Sequence, residues 1–170
     1  MSESLFDESN AVSWVQVFGG NEASVKYVTP GSLCPSISIN GIRTLMNMRA
    51  EMVDADNNQY SICEKFITAG DKKIIIEGRL LPSIPEEIND FIVIGDTGSN
   101  LDFFCDNMPL DHILAFNNQI IEQSPDVILH IGDLVYGNKC YKGNKQIKHF
   151  SAIINEFLLP SKDLLSWCLL

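Results

Sequence analysis

Two apolar runs in the second half of the chain constrain its fold more than any other feature. "FIVIG", residues 91–95, and "VILHIG", residues 127–132, are each followed at once by an aspartate, Asp96 and Asp133. A continuous apolar run of this length marks a strand covered on both faces. Between them lies "MPLDHILAFNNQIIEQS". Its Leu110, Ile113, Leu114, Ile120 and Ile121 form one helical stripe interrupted by Asn117, and Pro109 suits a first helical turn. Strand, helix, strand within about forty residues is a βαβ unit, so the strands should be parallel and the crossover right-handed. A second amphipathic helix is expected across "KQIKHFSAIINEFLLP", where Ile147, Phe150, Ile154, Phe157 and Leu158 share a face and Pro160 stops it.

The position of the two aspartates carries chemistry. In parallel sheets, ligands gather beyond the carboxyl ends of the strands. If these strands are neighbours, roughly 5 Å apart, the carboxylates of Asp96 and Asp133 converge on one small volume. Two such groups repel, and one must hold a proton unless a cation lies between them. Gly95 and Gly132 leave the backbone room to approach an ion, and Thr97 and Gly98 extend the open turn. Tyr136 follows Asp133 by three residues, a spacing that in a first helical turn brings phenol and carboxylate to the same side. A phenolate is a ligand for ferric iron, and a metal can lower its pKa enough to ionise it. His130, inside the second apolar run, is placed either to orient a metal ligand or to serve as a hydrogen-bonded core histidine, the commoner role.

Residues 11–82 have another rhythm. "SWVQVFG", "ASVKYVTP", "SISING", "IRTLMNMRAE", "YSICEKFITAG" and "KKIIIEGRLLP" are short runs punctuated by "GGNE", "NGI", "DADNN" and "AGDKK". Six strands at this spacing predict an antiparallel β-sandwich of immunoglobulin or fibronectin-like type, with Trp14 in its core. The expected organisation is a flexible N-terminus at 1–10, a β-sandwich at 11–82, a linker at 83–90 and a βαβα portion at 91–170. The chain is thus an α+β protein in two parts.

GDTG at Gly95–Gly98 and GDLVY at Gly132–Tyr136 resemble the first two signature blocks of the calcineurin-like metallophosphoesterases, especially the purple acid phosphatase branch. The resemblance implies metal-dependent hydrolysis of phosphate esters. It also implies two metal ions, iron with zinc, manganese or a second iron. Asp96 would bind one metal, Asp133 would bridge both, and Tyr136 would bind the ferric ion. Many members carry an N-terminal β-sandwich, so the resemblance extends over nearly the whole chain. The family's two-metal site holds the phosphate and supports in-line attack on phosphorus by hydroxide generated near neutral pH.

The family also needs an asparagine and a histidine from a Gly-Asn-His block, and later histidines. Gly137-Asn138 and Gly143-Asn144 are each followed by lysine and come too soon after Tyr136. Residues 166–170 read as the start of the strand that would deliver that block, so the chain is expected to be truncated before it. Of the other histidines, His112 and His149 read as surface or boundary residues. No catalytic acid or base can be named, and this chain alone is expected to be inactive, binding metal weakly or in part. The reading from another class is a catalytically dead remnant that works as an interaction module through its sandwich.

Composition narrows the partners. Acidic residues number 22 against 12 basic ones, a net charge of −10, which argues against nucleic acid or an anionic membrane surface. No run approaches the roughly eighteen apolar residues of a membrane span. "MSESLFDESN" lacks the basic and apolar regions of a signal peptide, so the cytoplasm is the default compartment. The expected partners are a phosphate ester and a second copy or another chain covering the truncated sheet edge. The five cysteines form no CxxC pair. Cys34 with Cys63, or Cys105 with Cys140, could bridge in an oxidising compartment, but buried thiols are the default without a targeting signal. GxGxxG, a P-loop and a nucleophile elbow are all missing.

Overall fold

Alternating side chains turn most of the first half into strands that bury one or both faces. The structure, a computed structural model, describes residues 11–19, 21–53, 57–95, 110–132, 157–159, 161–166 and 168–169. Its elements are β1 (Val12–Gly19), β2 (Glu22–Pro30), β3 (Ser36–Ile39), β4 (Ile42–Leu45), β5 (Asn47–Val53), β6 (Gln59–Thr68), β7 (Ile74–Ile76), β8 (Arg79–Leu81), β9 (Phe91–Ile94), α1 (Leu110–Gln123), β10 (Val127–His130) and β11 (Cys168–Leu169). The chain is a β-rich α+β protein. One sheet has seven strands in the order β5-β6-β2-β1-β11-β10-β9, and the other has four in the order β4-β3-β7-β8.

Two of the runs expected as single strands each break in two. "IRTLMNMRAE" divides at Met46, where β4 stays in the four-stranded sheet and β5 crosses to the seven-stranded one. Met46 is buried at the crossing, and its N–H donates to the Pro35 carbonyl at 3.1 Å. "KKIIIEGRLLP" doubles back at Glu77 and Gly78, whose φ values are 46° and 78°. Both residues are left-handed, the geometry of a two-residue hairpin whose twist matches its strands.

The two sheets pack face to face in a sandwich-like arrangement. Val15, Val17, Val25, Tyr27, Cys63 and Ile67 of the larger sheet meet Ile37, Ile74, Ile76 and Leu81 of the smaller. Ile84, in the segment expected as a linker, is buried in the same core. A second cluster lies on the opposite face of the larger sheet, where Val12, Val28, Tyr60, Ile94 and Ile128 meet Ile120 of α1 and Phe157, Leu158, Leu164 and Leu165. Trp14 is partly buried against this cluster rather than between the sheets. On α1 the stripe is rotated from expectation. Asn117 is buried and its Nδ2 donates to Ser161 Oγ at 3.5 Å, while Leu114 is exposed.

The thiol default is corrected: Cys34 and Cys63 form a disulfide across 29 residues. Cys63 faces inward from β6, and Cys34 lies in the segment that enters β3, so the bond staples one sheet to the other. Cys105 and Cys140 lie outside the described residues. At the same end, a cleft of about 450 Å³ is lined by Tyr27, Pro30, Leu33, Cys34, Pro35 and Glu77, among others.

β2 is buried on both faces, so the alternate positions Ser24 and Lys26 are also enclosed. Lys26 pairs with Glu64, its partner in register on β6, and Arg49 Nη1 reaches the other carboxylate oxygen at 3.0 Å. Burial pushes the Glu64 carboxyl up, but hydrogen bonds and charge from Lys26 and Arg49 outweigh it and hold the group below its ordinary value.

The parallel strands complete the larger sheet. β9 pairs with β10 over four residues, from Phe91 opposite Val127 to Ile94 opposite His130. β11 then pairs in parallel with both β10 and β1, so one sheet runs unbroken between residues 11–82 and residues 91–169. Of the second expected helix, Phe157, Leu158 and Leu159 are described; the first two are buried and the third partly so.

Candidate site at the carboxyl ends of β9 and β10

Each strand is formed by four large apolar or aromatic side chains, or three with His130, and each ends level with the other. The ladder continues one step beyond them: the Ile131 N–H donates to the Ile94 carbonyl at 2.9 Å. Gly95 and Ile131 therefore leave the sheet side by side. A Cβ placed on Gly95 would lie 3.1 Å from Ile131 Cγ1, closer than side chains normally approach. Gly132 has φ +136°, a conformation that L side chains rarely adopt, with open space around it.

The two glycines thus serve different needs, and the difference can be measured. Gly132→Ala should destabilise the fold by about 1–3 kcal/mol, the usual cost of forcing a side chain into a disfavoured backbone region. Gly95→Ala should cost under about 1 kcal/mol, because the exposed Ile131 side chain can yield. Equal shifts in urea midpoint for the two variants would contradict this.

The other end of β9 is also fixed. The Asp126 carboxylate accepts the backbone N–H groups of Asn89 at 2.8 Å and Asp90 at 3.1 Å. Those two hydrogen bonds, Asn89 first, hold the Asp126 carboxyl below its ordinary value. The start of β9 is thereby tied to the start of β10, and the register of their far ends follows.

His130 is half-buried. Its Nδ1 accepts the Gly132 N–H at 3.3 Å, and its ring stands edge-on to Phe157 with centroids 5.3 Å apart. Burial pushes the imidazole pKa down, which favours the neutral ring needed for that acceptor role. The imidazole therefore braces the turn leading from β10 into residue 133.

Gly95, His130 and Gly132 are brought together at this edge. Asp96, Gly98, Asp133 and Tyr136 lie outside the described residues, as does Thr97. Among the described residues no group of three or more histidine, cysteine or acidic side chains could hold a metal ion. None of the described helices is long and apolar enough to cross a membrane. Sequence reading missed the enclosed Lys26–Glu64 pair. Opposite charges at alternate positions of two neighbouring β runs were the available signal.

No protein-family model matches the chain, and comparison with curated proteins and with solved structures found no match.

Proposed function

We propose that the chain is a fibronectin- or immunoglobulin-like β-sandwich joined to the opening portion of a metallophosphoesterase domain, serving metal-dependent hydrolysis of phosphate esters. The observation that supports this most is the level ending of two adjacent parallel strands, with Gly-Asp directly after β9 and, one residue later, after Ile131, beyond β10. Asp96, Asp133 and Tyr136 would hold the metal. When bound, a metal centre there would supply Lewis-acid polarisation of phosphoryl oxygens. The chain's own part is to bring two carboxylates to one edge and to fix the turn at Gly132 through His130. The Cys34–Cys63 bridge favours an oxidising compartment over the cytoplasmic default.

The test is titration of the purified chain with ferric iron. Wild type should take up iron and absorb in the visible. Tyr136→Phe should abolish the absorption, and Asp133→Ala should weaken affinity by at least about tenfold, since it removes a charged ligand outright. A folded chain that binds no iron, or whose absorption survives Tyr136→Phe, overturns the reading and leaves a binding module built on the sandwich.

A further inference from the structure

Among the described residues, the outer edge of β9 is exposed, apolar and open. β9 is the last strand of its sheet, with Phe91 60% and Val93 48% exposed. Two carbonyls of this segment point toward β10: Asp90 accepts from Asp126 N–H and Ile94 from Ile131 N–H, each at 2.9 Å. The two-residue period of a strand therefore turns the N–H and C=O groups of Phe91 and Val93 outward. Their side chains stand on the same face as Ile131, which is 69% exposed.

The described parts of the connections between the parallel strands pack on the other face. β9, β10 and β11 step across the sheet in one direction, so right-handed crossovers both lie on one side. That side carries Ile120, Phe157 and Leu158, packed on Ile94 and Ile128. β11 is flanked on both sides, by β10 and β1, so an added strand has no place beside it. Among the described residues, β9 is the parallel strand without a neighbour on its outer side.

Charge decides what fits there. Exposed Glu87 and Asp90 lead into the strand, Asp126 closes its start, and the chain as a whole carries −10. A second copy would bring acid against acid. We infer that the β9 edge accepts an extended strand from a partner polypeptide that alternates apolar with basic residues. The partner adds to the sheet through the backbone of Phe91 and Val93, and its cations lie near Glu87 and Asp90.

The probe is a capped octapeptide alternating valine and lysine, added to the full chain and followed by calorimetry and amide hydrogen exchange. The expected result is saturable binding with exchange at the Phe91 and Val93 amides slowed at least tenfold. A glutamate–valine peptide should bind at least tenfold more weakly. Phe91→Lys with Val93→Lys, at exposed positions, should abolish protection while thermal unfolding stays unchanged. If that variant does not fold, the exchange pattern of the wild-type chain decides alone. Binding without protection at these two amides means general attraction to an acidic surface and overturns the proposal. So does a concentration-dependent dimer, seen in sedimentation, that disappears in the double variant, because a second copy would then be the occupant.

Discussion

Replacing Cys34 and Cys63 together by alanine should lower stability by about 2–5 kcal/mol, the range for losing a native bridge that closes a loop of this size. The bond spans 29 residues and joins the two sheets, so its loss frees the unfolded chain and unpins β3 from β6. The effect should be uneven. Gly31 stays tied to the larger sheet, since its N–H donates to Gln59 O and its carbonyl accepts from Ser61 Oγ, each at 2.8 Å. The segment from Ser32 to Pro35 has fewer such ties and forms one wall of the cleft, so amide exchange should rise there first. Urea unfolding with and without reductant measures the stability change. Alkylation of the native chain should label no more than three of its five cysteines before reduction and all five after it. Five labelled cysteines before reduction would sink the expectation.

Glu64→Leu should cost about 3–5 kcal/mol, because it leaves the Lys26 ammonium enclosed without its counter-charge. Both side chains are 9% exposed, so water compensates little. Lys26→Met with Glu64→Leu should recover most of that loss, since two apolar groups replace the pair and no charge stays buried. Arg49, whose side chain is 60% exposed, should matter little: Arg49→Ala is expected to cost under about 1 kcal/mol. The pair also sets a pH dependence. The folded Glu64 carboxyl is held below its unfolded value of 4.5, so its contribution is present above that pH. It fades as pH falls toward and through the lower folded value. Urea midpoints between pH 7 and pH 3 should fall more steeply in wild type than in Glu64→Gln. Parallel curves would show that the pair does not couple to protonation.

How far the sequence could be read depends on whether a signal is local. The runs at Phe91 and Val127 were legible as unbroken apolar stretches, and they do pair in parallel. But β9 is an edge strand with Phe91 and Val93 exposed, not a strand covered on both faces as expected. The turn at Glu77–Gly78 was also local, but glutamate is a rare occupant of a left-handed position, and the run was read straight through it. The break at Met46 has no local mark; it exists because residues on either side pair with different sheets. Ser24 and Lys26 alternate with Val25 and Tyr27, the local pattern of a half-buried strand. Their burial comes from neighbouring strands and from the second core cluster. Cys34 and Cys63 were recognised as one pairing among two but set aside on compartment grounds, and only the packing of the two sheets brings them together. For the site, the strand ends and their glycines were legible. The bracing of Gly132 by His130 was not, because it depends on where the ring turns within the fold.

The pairing of β11 with β1 bears on the order of assembly. Val15 and Cys168 are partners about 150 residues apart in sequence, so this contact carries one of the largest loop-closure costs in the chain. The hairpins β1–β2 and β5–β6, by contrast, close over short spans and can form as soon as they leave the ribosome. During synthesis the outer edge of β1 therefore stays unpaired until Cys168 and Leu169 emerge. An early apolar strand edge that waits so long for its neighbour invites pairing with other nascent chains. Yield on refolding should accordingly fall with protein concentration more steeply than the final stability would suggest.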